Sequence, residues 1–493
     1  MRSIPIPSIE AHSMLQSTVN ADLHAHIREA FPDHLERIRT YMAQPSVSEG
    51  NLGVRECAEL LSERFLQIGC QQVEIAETPE LPGVWAHLDA GAAQTLAVYG
   101  FFDTNIVGTG WTHDPFDGVV TTHPDFPQVL YGRGASNKGG FMAFLNAIDA
   151  VQQVRGALPV NLMFVCEGEE FVGSLHVPQL IERYREPLSR ATGMLSPGPC
   201  QNAAGAVDLA LGNKGCLHIE MRCSGEEWGR GPQGAPTHSS TMGVVDHPVW
   251  RLVHALSTLY DPATGAITVP GFLDGLREPS AVDLQLVEDL AARYADNEAA
   301  GVPGIGQPEL VSCFVNDATG TEVFKRYCFL PTMNINGLRA GFTGPGTTLW
   351  TLPHEARCTI DHRLPPDLDP QTCLERIREY LDAQGYTDIH MEVLMSVGAQ
   401  SLDLHDDLAQ SALAVFNDWS VEPMIWPRRG ASGPTGYFSQ MLGLKVLGST
   451  GLGYASGHSS ADEFLVVEGN GRVGGIVELT GSYADLLCGL GAD

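Results

Sequence analysis

The feature that constrains this chain most is an apolar run that ends in three carboxylates. Residues 159–165 are almost entirely apolar, a pattern typical of a strand buried on both faces of a parallel sheet. Glu167, Glu169 and Glu170 follow it directly. Open α/β sheets place their chemistry at the carboxyl ends of parallel strands, so we predict a functional site here. Crowded carboxylates repel one another and persist where a cation, a shared proton or the role of a base compensates. The alternative is a solvated loop.

Composition and charge exclude several classes of partner. The chain has 493 residues, enough for two or more domains, and a formal net charge of -30. That charge argues against nucleic acid and against an anionic membrane as partners. Residues 1–10 lack the apolar core of a signal peptide, and no later stretch approaches a membrane span. The 11 cysteines form no CxxC pair, which is typical of reduced thiols, and we expect a cytoplasmic protein.

Helix and strand patterns alternate along most of the chain, which predicts an α/β domain. Helices are predicted at residues 25–42, 141–154 and 371–383, and strands at residues 95–99, 332–335 and 356–360. From about residue 216 the pattern changes to the alternation of a half-buried antiparallel sheet. We therefore predict a catalytic domain in two parts around an inserted α+β domain. The predicted boundaries are 1–214, 215–397 and 398–493.

Short motifs follow one another in a characteristic order. They lie at residues 99–103, 131–140, 167–174, 236–239, 341–347, 361–365 and 457–459. Their order resembles the dinuclear-zinc exopeptidase family that includes carnosinase, aminoacylase and succinyl-diaminopimelate desuccinylase. The resemblance implies a phosphorylase/hydrolase-like catalytic domain, with a mixed, mainly parallel sheet between helices. It also implies that the inserted domain is a lid through which two copies form a homodimer.

The motifs depart from that family at the positions of the metal ligands. Phe101 stands where the resemblance implies the first metal-binding histidine, and Phe171 stands where it implies a metal-binding glutamate. Asn137 falls on or beside the bridging aspartate, and the last aspartate falls near Ser196. A dinuclear zinc site needs about five oxygen or imidazole ligands. Among the positions where the resemblance implies ligands, only His458 still carries a plausible one. We therefore expect that the protein binds no metal and no other cofactor. Zinc is expected only if the protein is a conventional zinc-dependent enzyme of that family.

Most of the remaining pocket motifs are retained. The resemblance assigns Glu170 as general base, His238 as the lid histidine that stabilises an oxyanion in the partner subunit's site, and Arg363 with the glycine turn as holders of a substrate carboxylate. The predicted catalytic residues are Glu170, His238, Lys138 and Glu169. The predicted substrate-binding residues are Arg363, Asn334, Gly344, Gly346, Ser432, His458 and Lys214.

Without zinc, a negative transition state needs another source of positive charge. Two of the four lysines, Lys138 and Lys214, lie in motifs that border the altered site. An ammonium group among the glutamates would replace part of a cation's role. Phe101 and Phe171 would also make the site apolar, which raises the pKa of Glu170 and suits it to proton transfer near neutral pH.

Three functions follow from these observations. The first is a metal-independent enzyme that uses Glu170 to act on an amide or other C–N bond of a small amino-acid-derived or peptide-like carboxylate, by hydrolysis, elimination or condensation. The second is a conventional zinc-dependent dipeptidase or N-acyl-amino-acid amidohydrolase, with metal held by His458, Asp103 and Glu170. The third is a non-catalytic binding or scaffold homologue.

Overall fold

The computed structural model describes residues 15, 17, 19–305, 307–342, 344 and 350–491. The chain forms two compact units. The first contains the chain up to Leu211, Leu402–Ile425 and the chain from Met441 onward, and the second contains Gly212–Ser401 and Trp426–Gln440. Trp426–Gln440 thus groups with the second unit although it lies outside the stretch predicted as the insertion.

The helices occur in both units and are mostly short. The α-helices of the described residues are α1 (Ala21–Glu29), α2 (Phe31–Ala43), α3 (Val54–Gln67), α4 (Gly140–Arg155), α5 (Val177–Arg183), α6 (Arg185–Leu188), α7 (Gly225–Trp228), α8 (Pro248–Ser257), α9 (Ala281–Arg293), α10 (Glu298–Gly301), α11 (Thr321–Phe329), α12 (Pro370–Ala383), α13 (Asp407–Asp418), α14 (Thr435–Leu442) and α15 (Ile476–Gly489). A π-helical turn, Ala135–Gly139, leads into α4, and a 3₁₀ turn, Glu170–Val172, follows the acidic strand end.

The strands range from 2 to 10 residues. In the described residues they are β1 (Gln72–Ala76), β2 (Gly83–Leu88), β3 (Thr95–Phe101), β4 (Val119–Thr121), β5 (Gln128–Tyr131), β6 (Asn161–Glu167), β7 (Gly193–Leu195), β8 (Asp208–Ala210), β9 (Gly212–Asn213), β10 (Gly215–Ser224), β11 (Thr237–His238), β12 (Tyr260–Asp261), β13 (Ala266–Ile267), β14 (Asn334–Ala340), β15 (Thr351–Leu352), β16 (Glu355–Leu364), β17 (His390–Val397), β18 (Gln400–Ser401), β19 (Met424–Trp426), β20 (Val446–Leu447), β21 (Ala455–Ser456) and β22 (Phe464–Glu468).

The helix predicted at residues 25–42 is two helices. The chain leaves α1 at Ala30 and begins α2 at Phe31, with Pro32 in its first turn. Proline has no N–H and fits a helix start, where that group would lack a partner, better than a helix interior. The apolar spacing continues across the break, since Ile27 and Ile38 are both fully buried. Periodicity alone therefore did not reveal the break.

The main sheet of the first unit confirms the predicted mixed, mainly parallel arrangement. Its strand order is β1-β2-β6-β3-β7-β20, in which β6, β3, β7 and β20 run parallel and β2 joins β6 antiparallel. Every residue of β6 is buried, as the apolar run predicts. The register pairs Phe101 of β3 with Glu167 of β6, so the two altered motifs end side by side.

A second sheet of the first unit positions the closing motif. It has the order β21-β22-β5-β4, and all its pairings are antiparallel. Phe464 of β22 pairs with Tyr131 of β5, which brings the chain after His458 beside the start of the 131–140 motif. Two motifs that are far apart in sequence therefore meet in one unit.

The second unit is built on a four-stranded antiparallel sheet with the order β14-β16-β10-β17. Leu217, Ile219 and Met221 of β10 are fully buried, while the residues between them are half-buried. They pack with α8 and α12, represented by Leu252 and Ile377, in one core. This alternation is the reason the sequence predicts an antiparallel sheet here. Across both units, no helix in the described ranges is long and apolar enough to cross a membrane.

Candidate functional site

The first carboxylate of the acidic cluster, Glu167, is a buried structural group. The Tyr99 hydroxyl donates to Glu167 Oε1 at 2.5 Å, and the Ser174 hydroxyl donates to the same oxygen at 3.0 Å. Burial raises the pKa of Glu167 well above its usual value. Glu167 thereby ties β3 and β6 to the loop that follows them.

The second carboxylate, Glu169, is also held by hydrogen bonds from protein groups. Glu169 Oε1 accepts the backbone N–H of Leu81 at 2.8 Å and the Thr78 hydroxyl at 3.2 Å. Glu169 Oε2 lies 2.8 Å from His176 Nδ1. Both oxygens therefore connect the loop before β2 to the start of α5. The catalytic role of Glu169 stays a prediction.

The third carboxylate, Glu170, begins the 3₁₀ turn and is anchored by Asp103. The fully buried Asp103 carboxylate accepts the backbone N–H of Glu170 at 3.1 Å and that of Phe171 at 2.9 Å. Burial raises the pKa of Asp103 to about 6. Burial, followed by the charge of Asp103, raises the pKa of Glu170 to about 7. A carboxyl group with such a pKa can exchange a proton near neutral pH.

Aromatic side chains stand at two positions where the resemblance implies metal ligands, Phe101 at the end of β3 and Phe171 directly after Glu170. The ring centroids of Phe101 and Phe171 lie 6.0 Å apart with the rings inclined at 70°, and the His458 ring lies 5.6 Å from that of Phe171. Asn137 Nδ2 donates to the carbonyl of Asp103 at 2.9 Å. Among the residues whose positions the structure gives, no group of three or more His, Cys, Asp or Glu is arranged to hold a metal ion.

His458 is exposed, and the half-buried Ser136 connects it to a buried ion pair. His458 Nδ1 lies 2.8 Å from the Ser136 hydroxyl, which lies 3.3 Å from Glu463 Oε1. Glu463 forms an ion pair with Arg133 at 3.0 Å, and both side chains are 2% exposed. Ser136 and Glu463 were not predicted as site residues. The sequence contained a signal for both, because Ser136 lies within the motif at residues 131–140 and Glu463 lies five positions after His458.

Lys138 does not hydrogen-bond to the glutamates in the way the sequence suggested. The Lys138 ammonium donates to the carbonyl of Gln44 at 2.5 Å and to the Ser46 hydroxyl at 3.1 Å. It lies 5.0 Å from the centre of the Tyr41 ring. Burial lowers its pKa. These contacts hold the Lys138 ammonium against the loop that follows α2, and its catalytic role stays a prediction.

In the second unit, three predicted substrate-binding residues share one hydrogen-bonded group. Arg363 Nε donates to Asp361 Oδ2 at 2.9 Å, and the Arg363 guanidinium donates to the Ser432 hydroxyl at 3.1 Å. Asn334 Nδ2 donates to Asp361 Oδ1 at 2.9 Å, and Asn336 Nδ2 does so at 2.8 Å. The register of β14 against β16 places Asn334 opposite Asp361. The role of Asp361 in orienting Arg363 was not predicted.

Lys214 lies behind this group in the same unit. Its ammonium donates to the carbonyl of Leu330 at 2.6 Å, and its backbone N–H donates to the carbonyl of Arg429 at 3.0 Å. Burial lowers the pKa of Lys214 to about 8, with further lowering by the charges of Arg428 and Arg363. Lys214 is therefore positioned beside the segment that carries Ser432.

Two further predicted residues of the second unit, His238 and Gly344, are exposed. His238 ends β11, pairs with Thr351 of β15, and is exposed to solvent. Its Nδ1 lies 2.8 Å from the Ser240 hydroxyl. Gly344 is exposed as well, whereas Gly346 lies outside the described residues.

The sequence relatives of this chain are peptidases. Residues 231–388 match the M20 family described as "Peptidase dimerisation domain". The Cys-Gly metallodipeptidase DUG1 of Candida albicans is 26% identical over 454 residues, which cover 85% of this chain and 88% of that relative. The Beta-Ala-His dipeptidase of Homo sapiens is 26% identical over 326 residues, which cover 64% of this chain and 59% of that relative. The chain thus spans less than two thirds of that dipeptidase.

Solved structures agree with the sequence relatives. The M20 family metallo-carboxypeptidase Sso-CP2 from Sulfolobus solfataricus matches with a TM-score of 0.79 and 25% identity, covering 92% of this chain and 99% of that one. Human carnosine dipeptidase 1 matches in fold with a TM-score of 0.69 and 18% identity, covering 96% and 98%. The resemblance seen in the motifs is confirmed. In sequence and fold the chain is similar to the M20 metallopeptidases, with an α/β domain and an inserted domain that matches the peptidase dimerisation domain.

Proposed function

We propose that this protein hydrolyses an amide bond of a small amino-acid-derived or peptide-like carboxylate, with Glu170 as general base and without a dinuclear zinc centre. The observation that carries this proposal is the setting of Glu170. It sits on a turn anchored by buried Asp103, directly before Phe171, and its pKa is raised to about 7. A base with that pKa is half deprotonated at neutral pH.

The substrate class follows from the relatives and from the Arg363 group. The relatives named above are dipeptidases for Cys-Gly and Beta-Ala-His, and both substrates are small peptides with a free carboxylate. Arg363 is oriented by Asp361 and Ser432, and the guanidinium geometry suits a carboxylate. We assign this group to the carboxylate of the substrate.

In the proposed reaction, Glu170 takes a proton from a water molecule while the water attacks the carbonyl carbon. As the C–N bond breaks, Glu170 returns the proton to the leaving amine, so that its carboxylate is regenerated. The developing oxyanion needs hydrogen-bond donors or positive charge, which we assign to His238 of the partner subunit. Phe101 and Phe171 lower the polarity around Glu170 and so keep its pKa near neutral pH.

The absence of a dinuclear zinc centre is proposed from the donor atoms. Phe101 and Phe171 offer only aromatic carbon at two ligand positions, and the Asn137 amide is already engaged with the Asp103 carbonyl. Zinc sites in proteins use thiolate, imidazole and carboxylate ligands. Of the implied ligands, His458 is retained, and one imidazole is too few for two zinc ions.

A zinc-dependent peptidase is the second candidate, because the relative DUG1 is named a metallodipeptidase. In that case His458, Asp103 and Glu170 would hold the metal. Zinc content distinguishes the two candidates when the protein is purified without added metal. Near-stoichiometric zinc that disappears in a His458→Gln variant would favour the second candidate.

The deciding experiment is turnover after chelation. We expect hydrolysis of Cys-Gly, β-Ala-His or an N-acyl amino acid to survive exhaustive treatment with EDTA. Glu170→Gln should abolish that activity, while the matched variant Glu169→Gln, made on the neighbouring carboxylate, should keep a larger part of it. Activity that EDTA removes and zinc restores would overturn the metal-independent proposal.

A further inference from the structure

The exposed His458 is connected to a buried ion pair through a single hydroxyl group. Ser136 Oγ lies 2.8 Å from His458 Nδ1 and 3.3 Å from Glu463 Oε1. Glu463 Oε2 accepts from Arg133 at 3.0 Å. All four residues belong to the first unit. Ser136 therefore joins an imidazole to a carboxylate that cannot move freely.

Several contacts hold Glu463, the carboxylate in this series of hydrogen bonds, in place. The Arg133 guanidinium also donates to the carbonyls of Ile106 and Val107, at 3.0 and 2.9 Å. Glu463 in turn accepts backbone N–H groups from Gly134 and Ser136, each at 3.3 Å. These contacts hold both charged groups in a site that is almost closed to solvent, so Glu463 presents Oε1 to Ser136 in one direction.

The number of protons on each group determines which residue donates each hydrogen bond between His458, Ser136 and Glu463. A carboxylate paired with arginine only accepts hydrogen bonds, and a serine hydroxyl has one proton to donate. A hydrogen bond to a carboxylate is stronger than one to a neutral acceptor. The Ser136 proton therefore goes to Glu463, and the Ser136 oxygen accepts from His458. The His458 proton then sits on Nδ1, and Nε2 keeps its lone pair.

The lid contains a second histidine–serine pair, His238 and Ser240, in which the histidine carries its proton on the other nitrogen. His238 Nδ1 also lies 2.8 Å from a serine hydroxyl, that of Ser240, but no carboxylate contacts this serine in the described part of the chain. The backbone N–H of Ser240 donates to His238 Nδ1 at 3.2 Å. Since Nδ1 accepts there, the His238 proton sits on Nε2. The two histidines thus differ in which nitrogen can donate.

We infer that Ser136 and Glu463 are positioning residues that hold His458 with its proton on Nδ1 and leave Nε2 as a hydrogen-bond acceptor. The group that His458 receives is accordingly a donor, such as the N–H of an amide or the ammonium of an amino acid. The position of the His458 proton is inferred from the hydrogen bonds alone, whereas the contact of His458 with a substrate rests on the proposed function. Without the Ser136 contact, the exposed imidazole would rotate and exchange tautomers.

The tautomer is measured by long-range ¹H–¹⁵N correlation spectra of the full-length protein labelled with ¹⁵N-histidine. Spectra are taken at about pH 9, well above the ordinary histidine pKa. The His458 signals are those that a His458→Gln variant lacks. We expect a protonated Nδ1 and an unprotonated Nε2 in the wild type. A protonated Nε2 at His458 would overturn the inference.

Two variants separate positioning from folding. In Ser136→Ala the signals should change to a mixture of tautomers, and in Ser136→Thr, which keeps the hydroxyl, they should match the wild type. An unchanged tautomer in Ser136→Ala would also overturn the inference. Ser240→Ala is the matched control and should leave the His458 signals unaltered.

Activity gives a second and separate result. If the protein hydrolyses a peptide, Ser136→Ala should lower kcat/KM about tenfold, the effect of one lost hydrogen bond, and Ser136→Thr should restore most of it. Loss of activity in both variants to the same extent would contradict the positioning role. A protein that hydrolyses none of the peptides disproves the proposed function, while the spectra still decide the tautomer.

Discussion

The Asp103 carboxylate accepts the backbone N–H of Phe171 at 2.9 Å, and this contact ties the end of β3 to the turn that follows β6. The neighbouring N–H of Glu170 binds the other oxygen of the same carboxylate at 3.1 Å. Asp103 therefore fixes the backbone from which the Glu170 side chain projects. It also adds a negative charge close to Glu170, which contributes to the raised pKa of Glu170.

Replacing Asp103 with asparagine should move the pH profile of hydrolysis. If Glu170 is the base, kcat/KM rises with pH through about 7, the pKa of Glu170. Because the Asp103 charge contributes to that raised pKa, Asp103→Asn should shift the rising limb toward lower pH. The measurement is kcat/KM between pH 5 and pH 9 for both proteins. Glu169→Gln is the control, and a limb that stays in place in Asp103→Asn would contradict the coupling.

Folding stability should also depend on the ionisation of Glu170. Its pKa is higher in the folded protein than the ordinary value of 4.5, so the folded state binds the proton more tightly. The stability that this group contributes is present below about pH 4 and is lost as the pH rises through about 7. Wild type should therefore lose about 1–3 kcal/mol more than Glu170→Gln between pH 4 and pH 8. Urea unfolding at both pH values measures this difference, and equal losses in the two proteins would disprove it.

Arg363→Lys should weaken substrate binding. Lysine cannot reproduce the guanidinium contacts to Asp361 and Ser432, so the cation would no longer be held toward a carboxylate. We expect KM to rise about tenfold with a smaller change in kcat, because the interaction exists before and during the reaction. Arg357→Lys, on the same strand but paired with Glu220, is the matched control and should leave KM near the wild-type value. A fall in kcat alone would argue against a carboxylate-binding role for Arg363.

The lid should bring two copies of the chain together. Strand β14 lies at the edge of its sheet, and Ile335 and Leu338 on it are each 51% exposed. Exposed apolar residues on an edge strand are typical of a contact surface, and residues 231–388 match a dimerisation domain. We expect a homodimer by light scattering, and Leu338→Glu should shift it toward monomer. Leu273→Glu, at another exposed leucine of the same unit, should have no such effect. A monomeric wild type would contradict the prediction and the oxyanion role assigned to His238.

The sequence by itself determined the fold and predicted the place of the site. The apolar run of β6 and the alternation of β10 are local patterns, and burial of these patterns has few solutions, so the mixed sheet and the inserted antiparallel sheet were both predictable. The order of the motifs also brought Glu170, His458, His238 and Arg363 into consideration. These residues needed no contact information to be found.

The partners of these residues were decided only by the tertiary structure. Asp103 and Glu170 are 67 positions apart, and Ser136 and His458 are 322 positions apart, so no local pattern connects them. Lys138 illustrates the reason, since its sequence position beside a site motif did not reveal that its ammonium donates to Gln44 and Ser46. A hydrogen bond depends on direction and on distances of a few tenths of an ångström, which packing sets after the chain has folded. Sequence therefore predicted the candidate side chains, while only the folded chain decided which of them bind one another.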